Sequence, residues 1–130
     1  MTTQTILILV LIGIMAGMLS GFVGIGGGVV IVPALIYALG MSQLEAQGTS
    51  LFILLLPVGI LAFYNYYRND HVDWRFGLIV ALAFVVGGFF GSKLALKISP
   101  SVIRITFGVI MGYVSIRMII SGIKTFSNDV

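Results

Sequence analysis

The chain contains no cysteine, so disulfides, thiolate nucleophiles and cysteine-held metals are all excluded. It has one histidine, His71, in a polar loop beside Asp70 and Asp73, and no cluster of metal-ligating or nucleophile–base residues. Charge is scarce. Only 8% of residues are Asp, Glu, Lys or Arg, against about 25% in a soluble domain. The seven cationic residues are scattered through short loops and form no basic run, which argues against a nucleic-acid partner. Nothing in the sequence signals a cofactor or a nucleotide-binding loop, and an enzyme is not expected. No Lys or Arg precedes the first apolar run, MTTQTILILVLIG, so that run lacks the positive region of a signal peptide.

What is present is apolar. Hydrophobic residues make up 59% of the 130, and the mean hydropathy is +1.18. The whole chain reads as one all-α domain, residues 1–130, integral to a membrane, with lipid as its main partner. A spanning helix needs about 20 mostly apolar residues. Four candidate spans satisfy this: residues 5–38, 43–67, 74–96 and 102–123. Short connections suit an antiparallel bundle. Ser42-Gln43-Leu44-Glu45 has the spacing of a capping box. Asp73 suits an N-cap, and Ser99-Pro100-Ser101 separates the last two spans. Tyr64, Tyr66, Tyr67 and Trp74 resemble an aromatic belt at one membrane face. Pro57 is expected to kink the second span.

Small residues recur every four positions at Gly13, Gly17 and Gly21, again at Ala83, Gly87, Gly91 and Ala95, and at Gly108 and Gly112. Such stripes share one helix face and predict close helix packing in lipid, with contacts open to another copy. Lys/Arg counts hardly distinguish the two sides. Arg68, Arg75, Arg117 and Lys124 lie on one, and Lys93, Lys97 and Arg104 on the other. Such a bias leaves orientation open and permits an antiparallel pair of chains.

The first span interrupts itself. In GFVGIGGG, residues 21–28, five of eight positions are glycine, and Pro33 follows. Glycine costs about 1 and proline about 3 kcal/mol against alanine in a helix interior. The expected outcome is two half-helices, over about residues 5–20 and 29–38. A helix start in lipid leaves about four N–H groups without partners and carries the positive end of a dipole. Bare glycine backbone lets an anion reach those groups. The candidate substrate-binding set is therefore Gly24, Gly26, Gly27, Gly28, Val29 and Pro33. Thr49 and Ser50 on the second span either donate to the same anion or hydrogen-bond back to a carbonyl four residues earlier. Asn65 and Ser92 are weaker candidates. Lys93 and Lys97 either draw anions in or reach to the headgroups.

These residues carry a resemblance to the TauE/SafE family of membrane anion transporters. GFVGIGGGVVIVPAL at 21–35 is the main motif, supported by EAQGTSLF at 45–52, HVDWR at 71–75 and VVGGFFGSKLA at 85–95. The resemblance implies movement of sulfite or organosulfonates across the bacterial inner membrane, with Gly26, Gly27, Gly28 and Pro33 in the site and Thr49 and Ser50 near it. It also implies about eight helices in two related halves, of which this chain matches one. A homodimer is then the simplest assembly, and a separately encoded partner half its rival. An anion channel and a non-transporting membrane assembly subunit are the alternative readings.

Overall fold

The computed structural model describes all of residues 1–130 and is wholly helical: α1 (Thr3–Val23), α2 (Gly28–Leu39), α3 (Gln43–Leu55), α4 (Ile60–Arg68), α5 (Trp74–Ala95) and α6 (Pro100–Asp129). Three helices, α1, α5 and α6, are long and apolar enough to cross a membrane, and α3 with α4 makes a fourth span if the bent pair is counted as one. The chain groups into two contact units, Met1–Phe90 and Gly91–Val130.

Local chemistry explains the helix boundaries of the first unit. Thr2 caps α1, its Oγ1 accepting from Thr5 N–H at 3.2 Å. At the far end Gly24 adopts the left-handed conformation (φ 79°), and its N–H donates to Ser20 O at 2.7 Å. Gly26 (φ 74°) and Gly27 (φ 79°) are left-handed as well. Each such position would cost an L-residue roughly 1–2 kcal/mol, and glycine nothing comparable. Three of them within four residues turn the chain sharply, and α2 begins at Gly28.

The glycine segment thus divides the first apolar stretch in two, as its composition predicts, but unequally. At 1.5 Å per residue, the 21 residues of α1 extend about 32 Å, a full bilayer core, while the 12 of α2 extend about 18 Å. The break follows a complete span rather than bisecting one. Nor does α2 continue onward. Leu35 of α2 packs in one cluster with Ala16 and Leu9 of α1. A straight continuation would hold Leu35 and Ala16 about 28 Å apart, so α2 must fold back along α1.

A second reversal follows. Gly40 (φ 68°) closes α2 with its N–H on Ile36 O, and Ser42 opens α3. The capping box is complete: Ser42 N–H donates to Glu45 Oε2 at 2.9 Å, and Glu45 N–H to Ser42 Oγ at 3.2 Å. α3 packs on α2, burying Ala46 with Ile31, Val32 and Leu35. These four and Ala16 are the entire buried apolar core. So small a core is what a lipid-solvated protein needs, because apolar surface is already at home in hydrocarbon. Around Pro57 the helix does more than kink. It stops at Leu55 and restarts at Ile60, and the two axes differ by 52°. Past α4, Asp73 caps α5 with its Oδ1, accepting from the N–H groups of Arg75 and Phe76 at 3.1 Å each.

In the second unit Ser99 caps α6, its Oγ accepting from Val102 N–H at 3.4 Å. Pro100 occupies the first helical position, where its missing N–H removes no helix bond. α6 runs to Asp129, six residues past the apolar limit expected at residue 123. Helix bonds continue into polar sequence, and Thr125 Oγ1 adds one by donating to Ser121 O at 3.1 Å. Neither α5 nor α6 has a buried residue, and large apolar side chains such as Phe84, Phe90 and Ile116 stand exposed, as a lipid-facing helix requires.

Candidate functional site

α2 starts without a cap. Gly27 precedes it and has no side chain to offer, and no backbone carbonyl accepts from the N–H groups of Gly26, Gly27, Gly28 or Val29. The first internal bonds come from Val30 and Ile31, both to Gly27 O, at 3.0 and 2.9 Å. Four successive amides are therefore unspent at the positive end of a helix dipole, in a segment whose left-handed glycines fix their directions. Pro33, inside α2, has no N–H, which frees the carbonyl of Val29 one turn earlier from its usual helix bond.

The second observation concerns Ser50. It is 4% exposed, on α3, with its Oγ 3.5 Å from the point a Cβ on Gly28 would occupy. A buried hydroxyl thus abuts the first residue of α2. The hydroxyls of Thr106 and Thr125 donate back to carbonyls four residues earlier, whereas Ser50 makes no such bond. Thr49 is its half-buried neighbour.

A cavity of about 290 Å³ lies beside the break. Its walls are the small-residue face of α1, the glycine turn, the inner face of α2, the end of α3 and the Pro57 break with the start of α4. Of the residues expected from sequence, Gly26 and Gly27 line it, and Gly28 meets Ser50 outside its lining. Gly24, Val29, Pro33, Thr49 and Ser50 also lie outside that lining, distributed over the C-cap of α1, the body of α2 and α3.

Most of the wall escaped the sequence reading, and Ser20, Val58 and Gly59 are the informative cases. Ser20 lies one turn before the break and is the only wall residue with a polar side chain. Val58 and Gly59 belong to the second interruption, so two helix breaks border one space. The signal for them was Pro57-Val58-Gly59 in a helix already known to be apolar. The Gly13–Gly17–Gly21 stripe is only partly covered within this chain. A Cβ on Gly13 or Gly17 would meet nothing within 4 Å, and both residues line the cavity. Only Gly21 is closely approached, with Ala62 Cβ 3.8 Å from where its own Cβ would be.

Comparison with known proteins joins this geometry to a family. Residues 1–118 match the family described as sulfite exporter TauE/SafE. The chain belongs to that family. It is 39% identical to a probable membrane transporter protein of Xylella fastidiosa (strain 9a5c) over 83% of this chain and 42% of the relative. It is 32% identical to one from Haemophilus influenzae over 89% of this chain and 46% of the relative. A third, the probable membrane transporter protein YunE of Bacillus subtilis, is 27% identical over 97% of this chain and 53% of the relative. The chain thus spans about half the length of the curated relatives it matches. No solved structure matches it. Family and helices together make this TauE/SafE chain a multi-pass protein of the bacterial inner membrane, and the names of its relatives point to membrane transporters.

Proposed function

We propose that this TauE/SafE chain is a secondary transporter subunit for small sulfur-containing anions, sulfite or organosulfonates, and that the glycine break is its anion site. The observation that carries the reading is the uncapped start of α2, where the amides of Gly26 to Val29 are spent on no carbonyl. An oxyanion with several acceptor oxygens satisfies such a set at once, and the helix dipole favours its charge. Ser50, and Thr49 beside it, supply hydroxyl donors from α3. Transporters for anionic substrates repeatedly use helix starts at broken segments in this way. The small residues at Gly87, Gly91, Gly108 and Gly112, where an added Cβ would meet nothing within 4 Å, suit close packing against a second chain, most simply in a homodimer.

Purified chain reconstituted in liposomes tests the proposal. Sulfite or organosulfonate flux is expected from this chain alone, in particles with the mass of a dimer. Gly27→Leu is expected to abolish flux. Gly26→Ala, whose Cβ meets nothing within 4 Å, is the milder companion and keeps the fold while disturbing a φ of 74°. Flux undiminished in both variants would overturn the glycine break as the site.

A further inference from the structure

The cavity beside the break is far larger than a bare oxyanion. Its volume of about 290 Å³ is close to the ~300–1,000 Å³ of pockets that take small organic molecules. Its polarity is lopsided. At one end stand Ser20 and the glycine turn, with the unspent amides of Gly26 and Gly27. The remaining side chains are apolar, among them Ile12, Ile31, Leu35, Ile53 and Leu54. No charged side chain reaches the wall, so the cavity has no second polar pole for a compact dianion or a hydroxylated tail. The glycines of α1 keep it open, since at Gly13 and Gly17 a side chain would project into vacant space.

We propose that the cavity takes an amphiphilic anion: a sulfonate with a short alkyl tail, its head at the amides and the Ser20 hydroxyl, its tail against the apolar wall. This rests on the anion-site reading above and narrows it from sulfur anions in general to those with an apolar substituent. Ser20 becomes the one side chain in the cavity that hydrogen-bonds the head, and the Ile12–Ile31–Leu35 side of the wall sets tail length.

The test is binding to the nanodisc-reconstituted chain by titration calorimetry, with empty nanodiscs subtracted. The ligands are sulfite, methanesulfonate, propanesulfonate and pentanesulfonate, with 1-pentanol as the uncharged control. Affinity should rise by roughly fourfold per added methylene, as expected for full burial of each CH₂ group. Pentanol should bind far more weakly than pentanesulfonate. Ser20→Ala should lower the affinity of all three sulfonates by a similar factor, and Gly13→Phe should flatten the dependence on tail length while methanesulfonate still binds. Sulfite binding with no dependence on tail length would overturn the tail site and leave the anion site standing. Pentanol binding as tightly as pentanesulfonate would mark an apolar hole and overturn the proposal. No binding of any anion would overturn both.

Discussion

The phenol of Tyr66 donates a hydrogen bond to the carbonyl oxygen of Gly21 at 2.6 Å. Gly21 is in the last turn of α1, where carbonyls have no helical partner. Ser20 O is satisfied by Gly24 N–H, and Gly21 O by a side chain 45 positions later. With the approach of Ala62 to Gly21, this bond fastens α4 to the last turn of α1 beside the cavity. Tyr66→Phe leaves the ring and removes the donor. It should lower stability by about 0.6–1 kcal/mol, read as a drop in thermal midpoint in detergent. An unchanged midpoint would mean that the packing of α4, not the hydrogen bond, holds it there.

Two glycines that line the cavity should respond in opposite ways to alanine. Gly27 has φ 79°, and its Cβ would sit 3.3 Å from Ile31 Cδ1, so Gly27→Ala should cost about 1–2 kcal/mol and impair anion binding. Gly13 is in mid-helix with open space around its Cβ position, so Gly13→Ala should stabilise by up to about 1 kcal/mol. Thermal unfolding of both variants checks the contrast, and equal effects would refute the conformational argument.

The reciprocal bonds between Ser42 and Glu45 set the start of α3 and so the position of Ser50 two turns later. Ser42→Ala should cost about 1 kcal/mol. Ser42→Asp should recover most of it, since a carboxylate can still accept from Glu45 N–H. Chemical unfolding of the pair in mixed micelles checks this, and a variant without loss would show that packing on α2 suffices to place the helix.

Because the chain has no cysteine, a single introduced one reports cleanly. Ser20→Cys faces the cavity, whereas Leu11→Cys lies on α1 outside its lining and stands exposed where lipid would cover it. The first should react with a water-soluble thiol reagent and be protected by an alkylsulfonate. The second should react slowly with or without it. Reaction rates followed by mass shift decide, and equal rates would mean that no watered cavity adjoins the break.

Signals confined to a few neighbouring residues were legible in the sequence. The capping box at Ser42, the Asp73 cap and the restart at Pro100 each depend on side-chain chemistry within one turn, and the structure forms all three. The break at the glycines was legible for the same reason, because only a run of glycine permits three left-handed residues in four. The end of α6 was missed because hydropathy marks where lipid stops, not where helical hydrogen bonding stops. Where the small residues of α1 pack was not legible, because a small-residue face looks the same in sequence whether a helix of this chain covers it, as at Gly21, or leaves it open, as at Gly13 and Gly17.

Composition alone determined that this chain lives in lipid, that its elements are helices and that the first of them must break where glycine makes a left-handed turn free of steric cost. Only the tertiary structure decided where the broken ends go. α2 turns back on α1 because Ile31 and Leu35 meet Ala16 there, and α3 returns until Ser50 meets Gly28. Contacts between residues so far apart in sequence depend on the directions the chain takes after each turn. No local pattern encodes those directions, and the cavity exists only because of them.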